Sequence, residues 1–431
     1  MNFAEKKTSK EIEFFFYKSQ EILFILIPAF LISGPLLSDL AISIISIIFI
    51  VETFYKKNFF FIKNKIFLFL ITFYLYLLTI NLINFTNPKS LIISFFYFRY
   101  IFFAIAVWKL IEKNSKILEK FFFTLCICFT FLIIDGFYQY FFNQNIFGLY
   151  LSESNRVSSL FGDELILGSY LSRLFPIFFG IAIFIFEKKK NVLYFVSLIF
   201  ILTEVLVFFS GERTAFFYIN FSAVFMFLML RKYKIFRLLI FVFSISIIIL
   251  LSLLDDTGKK RIVDQTIQEM NLNQSANNEE RILPNIFSKR HNDIYLTSYK
   301  IFKDNILIGI GIKNFRFECK NKKYYINNKE SCSTHPHNTY VQLLVETGII
   351  GFMFIFGLFL YTLLVSLNHF IKLFINKPIF SDFEVCILSS IFLTLWPFVP
   401  TGNFFNNWLN VIYFLPVGIF LWSYNKKSSK T

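Results

Sequence analysis

Apolar residues in this chain run in long blocks separated by short polar stretches, without the strict alternation of a half-buried strand. A helix needs about 20 mostly apolar residues to cross about 30 Å of hydrocarbon. The blocks at 21–37, 40–54, 66–86, 91–108, 121–142, 165–186, 191–209, 214–230, 236–254, 349–366, 383–400 and 408–424 therefore predict an all-α integral membrane protein with about twelve spans. The first two blocks are joined by "SGPLLSDL", which leaves a re-entrant hairpin open there. One long polar stretch breaks the rhythm, so three regions are expected: spans one to nine in 1–254, an outer loop in 255–348, and spans ten to twelve in 349–431.

Composition agrees with a membrane solvent: 56% of the 431 residues are hydrophobic and 21% aromatic, with 65 Phe. The formal net charge of +15 would suit nucleic acid, but its distribution argues against that partner and for membrane lipids. Alternate connections are Lys-rich, from "EKKTSK" through "YKKNFFFIKNK", "KLIEKNSKILEK", "EKKKN" and "RKYKIFR" to "NKKSSK", whereas the short connections between them hold Lys89, Arg156 and Arg213. By the positive-inside rule both termini are cytoplasmic and the 255–348 loop lies outside. No small-residue cleavage site follows the first block, so a cleavable signal peptide is not expected. Cys126, Cys128 and Cys386 fall in spans as small packing residues, while Cys319 and Cys332 share the outer loop, where a bridge can form. Such a bridge would contribute about 3 kcal/mol.

Within the outer loop, the Asn-, Gln- and Glu-rich start reads as solvated with some helix, and order is expected to increase after Pro284. "SKRHNDIYLTSYKIFKDN" has helical spacing at Ile294, Tyr295, Ser298, Ile301 and Phe302, with Ser288 as N-cap and Arg290 in the first turn. Gly309 and Gly311 predict a tight buried turn. Further on, Asn338, Gln342 and Glu346 form one stripe opposite Tyr340, Val341, Leu344 and Val345. That pattern predicts a short amphipathic helix on the membrane surface, turning at Gly348 into the next span. His337 would sit at its N-terminus, where exposed N–H groups disfavour the imidazolium and leave a neutral base. Chemistry alone also allows His337 to be an ordinary interfacial polar residue.

The segment "HNTYVQLLVETGIIG", His-Asn followed by two glycines at fixed spacing, resembles the O-antigen ligase and O-antigen polymerase superfamily of membrane glycosyltransferases. Three further stretches resemble it too: "DGFYQYFFNQNIFG" with "RVSSLFGDELILGSYL", the span head "SGERTAF", and "SKRHNDIYLTSYKIFKDNILIGIGIKNF". Glu212 and Thr214 flank Arg213 where the family more often has small residues, which makes Arg213 the less secure assignment.

The resemblance implies transfer of polysaccharide from undecaprenyl diphosphate to a lipid A-core sugar, or to a growing glycan, at the periplasmic side of the bacterial inner membrane. It implies His337 as base, with Arg213 and Arg290 gripping the diphosphate through planar, paired hydrogen bonds. Arg156, Asn338, His335 and Arg173 are further substrate-binding candidates, and His291 a supporting one. An Arg at a span end also snorkels to headgroups for no catalytic reason. Arg173 and Arg99 lie inside spans, where a central Arg costs about 2.5 to 3.5 kcal/mol. Each is therefore expected to line a cavity or to pair with Asp135, Asp163 or Glu204. His369 is expected on the cytoplasmic side, unrelated to the site. No Cys/His set has zinc spacing and His335-Pro-His337 lacks a third ligand, so a metal-independent reaction without cofactor is expected. Ligase, polymerase and protein O-oligosaccharyltransferase share these motifs, and the ligase fits the large penultimate loop best. A lipid-linked sugar flippase, from a different class, would be expected to show internal repeats, and none is evident.

Overall fold

Gly34 sits at φ +109°, a conformation open to a residue without Cβ, and Pro35 follows at a helix start, where its missing N–H costs nothing. The chain thus turns sharply between α1, Phe3–Ile32, and α2, Pro35–Tyr55. Each is long and apolar enough to cross a bilayer by itself, which fits two spans. The computed structural model describes residues 3–428 apart from 86, 153–154, 188, 255, 270–286 and 327–330. The expected gain of order after Pro284 begins outside the described residues.

The bundle continues through α3, Lys65–Ile83, α4, Pro88–Phe95, α5, Phe98–Lys113, α6, Ile117–Phe142, α7, Leu167–Ile185, α8, Lys190–Phe209, α9, Arg213–Met229, and α10, Lys234–Leu254. Short helices α11, Asp256–Lys259, α12, Gln265–Glu269, α13, Lys289–Asp304, and α14, Phe315–Glu318, build the long connection. Three helices close the chain: α15, Thr339–Phe374, α16, Asp382–Leu395, and α17, Asn407–Ser428. Among the described residues there is no strand, only an isolated bridge between Gln144 and Tyr150.

Among the described residues, nine segments are long and apolar enough to span, with α4 and α5 counted as one. The other three expected spans are helices too, but α9 has 17 residues, α16 has 14, and α17 falls short in hydropathy. The 383–400 block is cut at Leu395 because Pro397 and Pro400 follow, and a proline takes its own N–H and the preceding residue out of the helix. The start of α16 is equally local: Ser381 accepts from the Glu384 N–H while Glu384 reaches back to Ser381 N at 2.7 Å.

Packing is tightest where α5 meets α17 and α7 meets α16. Almost all of α7 from Leu167 to Ala182 is buried, whereas α10 buries little more than Ser244 and Ile248 and lies at the periphery. The described residues of loops 33–34, 84–87, 143–166, 210–212, 255–338 and 396–406 gather at one end of the bundle. Asn84 Nδ2 donates to Gly309 O at 3.0 Å, Trp408 Nε1 to Leu31 O at 2.8 Å and Thr214 Oγ1 to Pro400 O at 2.9 Å. The Lys-rich connections lie at the other end, where Glu52 and Glu21 each hold a lysine, Lys109 and Lys120, at 2.5 Å.

The polar stripe of α15 faces inward, the reverse of a surface helix. Gln342 and Glu346 are fully buried because they serve backbone groups from distant loops. Gln342 Oε1 accepts from Phe404 N at 2.9 Å, its Nε2 donates to Glu346 Oε2 at 2.8 Å, and Glu346 Oε1 accepts from Phe315 N at 3.3 Å. Buried polar atoms are tolerable only when paired in this way. Gly348 breaks the helix at φ +63°, and a Cβ there would stand 2.3 Å from Leu307 O, so the Gly309 turn and this kink fit only as backbone against backbone. Arg99 pairs with Asp39 at 2.8 Å instead of the three acids expected, which are engaged elsewhere or distant; Asp135 accepts from Ile146 N and Ser159, and Glu204 from Ser244.

Candidate functional site

His337 occupies the left-handed region at φ +58°, uncommon for a residue with Cβ and therefore held by its surroundings. Two supports come from the α16–α17 loop and the next residue. Thr401 N donates to His337 O at 2.8 Å. Asn338 caps α15 by accepting from Tyr340 N and Val341 N at 2.9 and 3.1 Å, while its Nδ2 donates to Pro397 O at 2.8 Å and Val399 O at 3.3 Å. The Asn338 amide is thus fully engaged in positioning, with nothing left for a ligand. His337 Nε2 lies 2.9 Å from Ser333 Oγ, next to a disulfide between Cys319 and Cys332 whose Cα atoms are 5.3 Å apart.

Three imidazoles line up here. The His337 ring centroid is 4.1 Å from that of His335 and 5.8 Å from that of His291. Burial pushes His337 down to about 4, helped by His291 and Arg290, and pushes His335 down to about 3, helped by His337. Both are neutral at pH 7. Burial and neighbouring cations, more than the helix end invoked from the sequence, produce that state. His335 is satisfied as a neutral ring, Nε2 lying 3.3 Å from Thr401 O and Nδ1 3.0 Å from Thr334 Oγ1.

Two cavities open on either side. The larger, about 820 Å³, is walled by His335, His337, Arg173, Lys313, Arg316 and Thr401, among others. The smaller, about 500 Å³, is walled by Arg156, Arg213, Arg261, Glu269, Ser288 and His291. Glu212, Thr214 and Pro400 belong to both and form the partition. Glu212 Oε1 and Oε2 accept from Gly168 N at 2.6 Å and Ser169 N at 3.0 Å, placing a carboxyl against the first turn of α7; burial nevertheless pushes it up to about 7.

Arg213 and His337 therefore wall adjoining cavities, not one shared cavity. Arg290, exposed in the first turn of α13, is in the wall of neither, though close enough to lower the basicity of His337 and His291. Arg213 is held by Glu269 at 2.6 and 3.3 Å. Arg156 Nε donates to Ser210 O at 2.7 Å and Arg261 Nε to Gly211 O at 3.1 Å, so both guanidinium groups are anchored from one side. Ser288 caps α13 as the sequence suggests, and its hydroxyl also meets His291 Nδ1 at 2.7 Å. His369 is remote from all of this, its Nε2 3.2 Å from Met229 O at the Lys-rich end.

The family model described as O-antigen ligase matches residues 195–356, from α8 through the His337 segment into α15. Over that segment the chain is similar to the O-antigen ligase family. No curated protein matches it. Together with the apolar helices, the match supports a multi-pass membrane protein of the ligase or polymerase type.

The matched O-antigen ligase segment holds His337, Arg213, Arg261, Arg290 and His291, but not Arg156, Arg173 or the Thr401 loop. Sequence reasoning missed Lys313, Arg316, Arg261, Glu269, Ser333 and Thr401. For Thr401 a signal exists: "PTGNFFNN" is a polar run between two apolar blocks, out of place unless it serves backbone or ligand. The others are ordinary polar residues in a polar loop and carry no pattern.

Proposed function

We propose that the chain is an O-antigen ligase-type glycosyltransferase, moving a glycan from undecaprenyl diphosphate to a lipid A-core sugar hydroxyl at the periplasmic face of the inner membrane. The observation that carries this is the adjacency of a neutral histidine and a cluster of three arginines across one thin partition, with His337 and His291 rings 5.8 Å apart. The location of the Lys-rich connections at the opposite end supports a periplasmic site with both termini cytoplasmic.

In this reading the donor diphosphate enters the arginine cavity and displaces Glu269 from Arg213, with Arg156 and Arg261 completing the grip. Arg290 adds positive potential from α13. The acceptor hydroxyl approaches His337 from the larger cavity. With Nε2–H donated to Ser333, Nδ1 carries the lone pair that takes the hydroxyl proton. The acceptor oxygen bonds to the anomeric carbon as its bond to the phosphate oxygen breaks, and the diphosphate leaves with the electron pair. A base pushed down to about 4 is weak, but an anionic diphosphate next door opposes the cations that lower it. Donor binding itself thus raises the basicity of His337.

Deleting the gene and analysing the carrier lipid tests the reading. Long polymer left on the carrier is the ligase outcome, and accumulation of single repeats assigns the chain to the polymerase branch instead. Restoration of surface polysaccharide by a normally inserted His337→Ala protein would overturn the role given to His337.

A further inference from the structure

Arg173 is 4% exposed, stacked over the Tyr218 ring at 4.5 Å and facing Tyr413 at 5.6 Å, yet it has no carboxylate partner among the described residues. Its Nε meets Ser169 Oγ at 3.3 Å, while the buried Nη1 has no hydrogen-bond partner. A buried guanidinium is costly unless something polar completes it. It lines the larger cavity with Lys313 and Arg316, and the buried Nε of Arg316 is likewise unpartnered.

Lys313 adds an independent sign. It is held at φ +58°, where glycine or asparagine is the usual occupant, so its side chain is kept at a backbone position that disfavours it. His337, at the same φ, lies in the same cavity. Among the described residues, the acids near these cations are Glu212, whose carboxyl is already taken by Gly168 N and Ser169 N, Glu164, which is exposed, and Asp39, which is paired with Arg99. Glu346 sits behind Lys313, bonded to Gln342 and Phe315 N. Three cations therefore face the His337 cavity without a free counter-charge among the described residues.

We infer that Arg173, Lys313 and Arg316 form a second anion site, distinct from the arginine cavity, which binds a phosphate or carboxylate substituent of the acceptor and so orients its hydroxyl toward His337. The inference rests on the reading that His337 serves the acceptor. It specifies that the acceptor is acidic close to the sugar that is extended. The wall beside the cations includes Phe161, Trp408 and Leu409, apolar surface suited to a sugar face or acyl chain.

The test titrates inorganic phosphate into the full-length protein in phosphatidylcholine nanodiscs by calorimetry, in an Arg213→Ala background that removes the main grip of the other cavity. That protein should still bind phosphate, and adding Lys313→Gln with Arg316→Gln should weaken binding about tenfold or more, the worth of one or two charge-assisted bonds. Equal binding with and without the two Gln substitutions would overturn the site. Loss of phosphate binding when phosphatidylglycerol replaces phosphatidylcholine would hand the site to a lipid headgroup and overturn it as well. In turnover assays, removing phosphate from the acceptor should raise KM for the parent protein with kcat little changed, and leave KM of the Lys313→Gln, Arg316→Gln protein where it was. Phosphate titration needs no turnover, so an active His337→Ala protein would sink the functional reading while leaving the anion site standing.

Discussion

The two cavities that meet at Thr214 and Pro400 both carry cations, but burial acts on different groups beside their shared partition. On one side crowded imidazoles are buried until they are uncharged, His337 pushed down to about 4 and His335 to about 3. On the other, three guanidinium groups face Glu269 and the partition residue Glu212, and burial together with mutual repulsion lowers Arg156 and Arg261 from their ordinary values. Arginine stays charged under such pressure because its pKa starts so high, and histidine does not. The same burial therefore leaves a proton acceptor at His337 on one side of the partition and the arginine anion trap on the other. Because the rings of His337 and His291 stand 5.8 Å apart, filling the trap changes the acceptor.

The largest effect expected from breaking this contrast is on the imidazole side. His337→Ala should lower glycan transfer about 10²- to 10⁴-fold, the span of a lost general base, with insertion and thermal midpoint unchanged. Transfer of a radiolabelled glycan in proteoliposomes measures it. Next comes the guanidinium side: Arg213→Ala should cost about a hundredfold, and Arg213→Lys should recover little, since an ammonium cannot reproduce the forked contact. Glu269→Gln should act in the opposite direction and tighten donor binding, because Glu269 competes for the same guanidinium at 2.6 Å. If Glu269→Gln weakened the donor, the exchange proposed at Arg213 would be wrong.

Protonation sharpens the comparison further. His335 and His337 are held below the free histidine value of about 6.5, so between that value and about 4 the unfolded chain binds protons that the native one refuses. Stability must then fall as pH drops through this window and recover above it. Thermal midpoints of His335→Gln against the parent, taken from pH 7 to 4.5, should show a shallower decline in the variant. Saturating pyrophosphate should move the His337 midpoint upward, readable by nitrogen-15 shifts of the ring. An unmoved midpoint would disconnect the two cavities.

How much of this could be read in advance depended on the range of the interaction. The helices follow from hydropathy, a local property, and all twelve blocks fall on helix; 91–108 is broken at Phe96 and Tyr97, and α16 stopped early because of Pro397, itself a local signal. The stripe of Asn338, Gln342 and Glu346 was equally visible, but its direction was not. Its partners, Phe315 N, Phe404 N and Pro397 O, are brought in by segments far along the chain, and amphipathicity does not say which face meets water. His337 stood out through its motif. Lys313 and Arg316 did not, because what distinguishes them is the cavity they share with His337 in three dimensions.

The smallest expected effect is the most discriminating about how His337 works. Ser333 Oγ lies 2.9 Å from His337 Nε2, and if the hydroxyl accepts from that nitrogen it leaves Nδ1 free to take a proton. Ser333→Ala removes one hydrogen bond worth about 0.5–1.5 kcal/mol, so transfer should fall about two- to twelvefold, in kcat and not in KM for either substrate. Ser333→Thr, which keeps the hydroxyl, should restore most of it. The backbone support from Thr401 N to His337 O at 2.8 Å is untouched by either change, so the ring keeps its place and loses only the partner that selects its tautomer. A drop in Ser333→Ala as deep as in His337→Ala would mean that the serine takes part in the proton transfer. No drop at all would mean that the tautomer is set by something other than this bond.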